Sequence, residues 1–102
     1  MRVHAADALA IAQRIGRAEF LSDRTMQHAV IRCLTVIGEA ANRVSADTQN
    51  ALPDIAWGEA VGLRNVLVHE YQRIDLARIW TILETDLPPL LGSLNAHLGK
   101  ID

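Results

Sequence analysis

Apolar residues recur along the whole chain with the spacing of an α-helix, and no segment shows the sustained alternation of a β-strand. The clearest stripe lies in the second segment and consists of Met26, Val30, Leu34, Ile37, Ala41 and Val44. A chain of 102 residues that is 50% hydrophobic can bury one core without disulfides or metals. The pattern therefore predicts an all-α bundle of four to six helices, formed by a single domain over residues 1–102.

Residues that favour the starts and ends of helices divide this pattern into segments. We expect a break between Gly16 and Leu21 after the first segment, whose apolar face consists of Ala8, Ile11, Ala12, Ile15 and Ala18. Four residues with suitable side chains are candidate N-caps for the next helices: Ser22, Ser45, Asp54 and Asp75. Because the residue before a proline avoids the α region, the third helix should end near Leu52-Pro53. The fourth should run from about Ile55 toward Glu70.

The last helix contains two adjacent prolines, Pro88 and Pro89, which lack the N–H group that an interior helical position donates. Its apolar stripe nevertheless stays in phase across them, from Leu76, Ile79, Trp80, Leu83 and Leu87 to Leu91, Leu94 and Leu98. We therefore expect a helix that is kinked or restarted at the prolines, with Asp86 as the candidate cap of the restart.

Composition excludes several classes of protein. Lys and Arg total 10 and Asp and Glu total 12, so the formal net charge is −2, unlike proteins that bind nucleic acid mainly through an overall basic surface. A local positive site remains compatible with this balance. The single cysteine, Cys33, forbids an intrachain disulfide and is most simply a small buried hydrophobe. No apolar run approaches the roughly 20 residues that cross a bilayer, and the N-terminus lacks a signal-peptide layout. We expect a soluble, cytoplasmic protein.

The fourth helix carries two different faces. One is apolar and should meet the core: Ala56, Ala60, Leu63, Val66 and Leu67. On the other side, Gly58, Gly62, Asn65 and His69 recur at helical spacing, with Val61 and Val68 beside them and Arg64 at the edge. Glycines and valines allow another helix to approach closely. This face therefore predicts a symmetric dimer contact through Gly58, Val61, Gly62 and Val68.

Such a dimer would bring two Arg64 and two His69 residues together across one axis. One imidazole, with an ordinary pKa near 6.5, can take a proton from a ribose 2′-OH, and the second can protonate the departing 5′ oxygen. The guanidinium groups can bind the phosphoryl oxygens as negative charge develops. No metal or cofactor is required. An isolated Arg or His on a helix is more often solvated or structurally paired, so the residues alone leave both interpretations open.

The string Arg64, four residues, His69, one residue, Tyr71 resembles the signature of HEPN-domain toxins of the HepT-like family. Four further segments also look like that family: Gly38-Glu39-Ala40, Ile55-Ala56-Trp57, Ile74-Asp75 and Asp86-Leu87-Pro88. The resemblance implies a HEPN-type helical bundle, a homodimer with the motif at its interface, and metal-independent endoribonuclease activity. It also implies a cognate partner, a minimal nucleotidyltransferase antitoxin that transfers AMP to Tyr71.

Two polar residues receive supporting roles. Asn65 matches a polar position of the family and could orient the scissile phosphate, although a structural amide is the alternative. Glu39 is shared with the family, although an i, i+4 ion pair with Arg43 is the simpler explanation. Trp57 and Trp80 flank apolar stripes and are expected to be core anchors.

Two other functions remain open at this stage. A non-catalytic helical subunit that regulates a nucleotidyltransferase would suit the negative net charge. A dimer that has lost its RNA activity is the third possibility, against which the intact Arg64, His69 and Tyr71 argue.

Overall fold

The structure, a computed structural model, describes residues 1–69 and 75–97, but not the side chains of residues 64–69. Within these ranges it contains six α-helices and one π-helical segment, and no strand. The prediction of an all-α bundle is therefore confirmed. None of the described helices is long and apolar enough to span a membrane. Tyr71 and Leu98 lie outside the described residues.

Helix α1, Arg2–Ser22, changes direction at Gly16, whose backbone is not helical (φ 68°, ψ 174°). The expected break is confirmed, but the chain remains helical after it. Because the kink interrupts the helical phase, Ala18 does not continue the apolar face and is exposed. Phe20 is fully buried instead.

Helix α2, Arg24–Arg43, is capped by Asp23, whose Oδ1 accepts a hydrogen bond from the Met26 N–H at 3.1 Å. The predicted cap, Ser22, is wrong by one residue. Its hydroxyl still belongs to the last turn of α1 and donates to the carbonyls of Ala18 and Glu19. The predicted stripe is confirmed at its centre, where the buried side chains are Val30, Leu34, Ile37 and Ala41.

Helix α3, Ala46–Ala51, begins as predicted, because the Ser45 Oγ accepts from the Thr48 N–H at 3.2 Å. It also ends as predicted, at Leu52 before Pro53. Helix α4, Trp57–His69, begins two residues later than expected. Asp54 does not cap it, because its carboxylate contacts His97 on the last helix.

Ala56 was expected to share the apolar face of α4, but it is exposed. It precedes the helix, and its carbonyl accepts the first helical bond, from the Ala60 N–H. Ala60 and Leu63, predicted for the same face, are buried.

The last helical run starts with α5, Leu76–Thr81, which Asp75 caps as predicted by accepting from the Arg78 N–H. A π-helical segment, Ile82–Asp86, follows, and α6, Leu87–Ala96, has the two prolines in its first turn. The side chain of Asp86 makes no capping bond, so that prediction is wrong. Beyond the prolines, Leu87, Leu90 and Leu94 are buried at ordinary α-helical spacing. Leu91, which was expected in the stripe, is only partly buried.

One core joins these elements. Helix α1 packs against α2, α5 and α6, and α2 packs against α4. Both tryptophans are core anchors, as expected: the indole N–H of Trp57 donates to the Leu52 carbonyl, and that of Trp80 donates to Glu84. The ring of Trp80 lies 5.5 Å from that of Phe20. The kinked end of α1 is thereby fixed to the last helical run.

Candidate functional site

Helix α4 has a buried stripe and an open face. The buried stripe consists of Trp57, Ala60 and Leu63. The open face consists of Gly58, which is exposed, and Gly62, which is half-buried. Val61, predicted for the same face, is half-buried and packs against the core. A Cβ atom built on either glycine would meet no atom within 4 Å. In a single chain, this face therefore has room for another backbone.

The predicted catalytic residues Arg64 and His69 lie on one uninterrupted helix. Successive residues are about 100° apart around a helix axis, so Asn65 and His69 occupy positions on the side of the open face. Arg64 occupies a position about 140° from His69 and closer to the buried stripe than the edge expected from the sequence. One copy of α4 therefore carries Arg64 and His69 on different sides.

The structure describes the other members of the predicted site to different extents. Glu39 lies on α2, the helix that packs against α4, and is half-buried. In the described part of the chain, no ion pair joins it to Arg43, so the simpler explanation of Glu39 is wrong. Val68 lies in α4, where side chains are not described, and Tyr71 lies outside the described residues.

Cys33 is buried on α2, as expected. Loss of water around the thiol raises its pKa, the carboxylate of Asp7 raises it further, and Arg32 opposes both effects. A raised pKa keeps sulfur in the protonated form, which is a poor nucleophile. Cys33 is therefore a packing residue.

A groove of about 160 Å³ lies on the other side of α4 from the open face. Its floor is apolar, with Leu63 of α4 facing Leu87 and Leu90 of α6, and three exposed carboxylates line it: Asp54, Glu59 and Asp86. None of the open-face residues contributes to its lining among the residues described. A groove with this charge disfavours a phosphate backbone.

A polar cluster that no sequence pattern indicated lies at one end of this groove. The Nε2 atom of His97 lies 2.8 Å and 3.0 Å from the two carboxylate oxygens of Asp54, and the Ser93 hydroxyl donates to the Asp54 carbonyl at 3.4 Å. These contacts tie the end of α6 to the loop before α4. Asp54 and His97 are 43 residues apart, so no local spacing could predict the pair.

Within residues 1–69 and 75–97, excluding the undescribed side chains, no three His, Cys, Asp or Glu residues form a group that could hold a metal ion.

Comparison with known proteins extends the resemblance of the motif to nearly the whole chain. A family described as "Ribonuclease HepT-like" matches residues 1–96. "Putative RNase MJ1380" of Methanocaldococcus jannaschii is 37% identical over 84 residues, which cover 82% of this chain and 77% of that protein. "Probable ribonuclease HepT" of Thermococcus cleftensis is 38% identical over 74 residues, which cover 72% of this chain and 67% of that protein. No solved structure matches. The chain belongs to the HepT-like ribonuclease family.

Proposed function

We propose that this chain is a metal-independent endoribonuclease, the toxin of a toxin–antitoxin pair, which acts in the cytoplasm as a homodimer with a composite site. One observation carries the proposal. The chain matches a ribonuclease family over residues 1–96 and carries Arg64 and His69 on a continuous helix within that match. RNA is therefore the proposed class of substrate.

The proposed reaction is an attack of a ribose 2′ oxygen on the adjacent phosphorus. One His69 imidazole accepts the 2′-OH proton while the new oxygen–phosphorus bond forms. The bond from phosphorus to the 5′ oxygen breaks, and a second, protonated His69 gives its proton to that oxygen. Arg64 guanidinium groups bind the phosphoryl oxygens as charge builds on them. The products are a 2′,3′-cyclic phosphate and a 5′-OH end.

Two features support a site shared between two copies. The reaction needs both an acid and a base, and each chain supplies one His69. The positions of Arg64 and His69 diverge by about 140° around α4, which makes a compact site within one chain difficult. A second copy of α4 seated on the open face would bring the two His69 positions together. Gly58 and Gly62 leave space for that approach.

The proposed partner is a minimal nucleotidyltransferase antitoxin that silences the enzyme by transferring AMP to Tyr71. Tyr71 is two residues beyond His69 in the sequence. A phosphodiester and a nucleoside attached there would compete for the Arg64 guanidinium and obstruct access to His69.

The deciding experiment is incubation of the purified protein with total RNA in EDTA, followed by analysis of the new RNA ends. We expect cleavage that leaves 2′,3′-cyclic phosphates. Arg64→Ala and His69→Ala should each reduce the rate by at least about 100-fold. Matched variants of residues outside the site, Arg78→Ala and His4→Ala, should retain the cleavage rate of the unmodified protein. Loss of cleavage in EDTA would overturn the metal-independent mechanism.

The same experiment tests the second candidate function, which the net charge of −2 favours. A non-catalytic subunit of a nucleotidyltransferase would leave the RNA intact with or without added metal ions. It would still bind the nucleotidyltransferase, and His69→Ala would not change that binding.

A further inference from the structure

A row of basic side chains follows the outward face of α2. Arg24, His28, Arg32 and Arg43 are all exposed. Their positions fall within about 100° of arc around the helix axis, opposite the side that is buried in the core. We call these four residues the basic row. It extends for about 28 Å along α2, with one basic residue per turn between Arg24 and Arg32.

The arginines of the basic row are available to a ligand. Among the described residues, none of the three forms an ion pair or donates a side-chain hydrogen bond. Glu39 shares the face and is half-buried, and Asp7 on α1 lies near enough to Cys33, beside Arg32, to raise the pKa of the thiol. The three arginines of the basic row outnumber these two carboxylates.

The basic row accounts for a difficulty in the proposed function. A chain with a net charge of −2 should bind a polyanion weakly unless its charges are segregated. Part of the negative charge lies away from the outward face of α2, because three carboxylates line the groove on one side of α4. The basic row lies on α2, the helix against which α4 packs.

We propose that the basic row is the track along which a single RNA strand is held while it enters the site on α4. This inference rests on the proposed function, which makes RNA the substrate. Guanidinium groups form forked hydrogen bonds to phosphate oxygens, and Arg24 and Arg32, about 12 Å apart along the helix axis, can contact two phosphates of one extended strand. Glu39 lies on the same face, so the track passes the residue predicted to support the site.

The test measures binding of a fluorescent 2′-O-methyl oligoribonucleotide of mixed sequence, which cannot be cut by attack of a 2′-OH. Binding to the full chain is followed by anisotropy from low to moderate salt. For a single strand, each phosphate contact contributes about 0.7 to the slope of log affinity against log salt. We expect Arg24→Gln/Arg32→Gln to lower this slope by about 1.4 and to weaken binding at low salt on the order of tenfold.

A matched double variant controls for the loss of two positive charges outside the basic row. Arg14→Gln/Arg78→Gln removes two exposed arginines from α1 and α5, and should change the slope by much less. In cleavage of ordinary RNA, the basic-row variant should raise KM and leave kcat nearly unchanged. Similar slopes for the two double variants would overturn the track, even if the unmodified protein cleaves RNA. Binding with the expected slopes but no cleavage by any variant would support the track and overturn the proposed endoribonuclease.

Discussion

At the scale of single residues, the reactivity of Cys33 reports how far water is excluded from its thiol on α2. Burial raises the pKa of its thiol, so we expect iodoacetamide to modify the folded chain at least about tenfold more slowly than the unfolded chain at pH 8. Above the ordinary thiol pKa, the unfolded chain loses this proton while the folded chain retains it. This effect should therefore lower the free energy of unfolding as the pH rises.

The measurement is urea unfolding at neutral and alkaline pH. Cys33→Ala removes the thiol, so its free energy of unfolding should fall less over this interval than that of the unmodified chain. Equal losses in the two proteins, together with rapid alkylation of the folded chain, would contradict a buried thiol.

Tyr71 separates the toxin interpretation from its rivals. Tyr71→Phe keeps the aromatic ring and removes the acceptor oxygen. We expect this variant to cleave RNA normally and to resist inactivation by the nucleotidyltransferase with ATP, whereas the unmodified chain gains one AMP. Intact mass and residual cleavage are measured on the same samples. Equal AMP incorporation into both proteins would assign the modification to another residue.

At the scale of helices, glycine has opposite effects at two positions. Gly16 combines φ 68° with ψ 174°, a region essentially restricted to glycine, so Gly16→Ala should lower the free energy of unfolding by about 1–3 kcal/mol. Gly92 is exposed within α6, where alanine has the higher helix propensity, so Gly92→Ala should raise it by up to about 1 kcal/mol. Neither new methyl group meets an atom within 4 Å. Urea unfolding of both variants isolates the backbone effect, and equal shifts would exclude strain at Gly16.

The helix boundaries predicted from the sequence are correct where a local side-chain contact sets them. Ser45 and Asp75 cap their helices because each is followed by an N–H that its own side chain can reach. Ser22 and Asp23 are both competent caps, and only the turn geometry selects Asp23. Leu90 is buried where Leu91 was expected, because positions i+3 and i+4 after Leu87 both fit a helical stripe and periodicity alone does not choose between them.

At the scale of the whole molecule, contacts between residues distant in sequence determine features that helical periodicity could not predict. The spacing along α4 predicted the burial of Ala60 and Leu63 but not the exposure of Ala56. It did not predict that Asp54 binds His97 instead of capping α4, because that contact depends on how α6 packs. The acidic lining of the groove is also a property of the assembled bundle, since carboxylates of three separate segments line it.

The proposed dimer can be tested without disturbing the fold of one chain. A side chain added at Gly62 has open space within its own chain but would clash with a second helix seated on the open face. We expect light scattering at micromolar concentration to show a dimer for the unmodified protein and a monomer for Gly62→Leu, with helicity by circular dichroism retained. Because the proposed site needs two copies, cleavage of RNA should be lost together with the dimer.

Gly92→Leu is the matched control, since Gly92 is also open but lies on α6, away from the proposed interface. It should remain dimeric and active. A monomeric unmodified protein that cleaves RNA would exclude the composite site while leaving the ribonuclease assignment intact. A Gly62→Leu dimer with full activity would instead move the interface to another face, because leucine between two closely packed helices forces them apart by steric overlap.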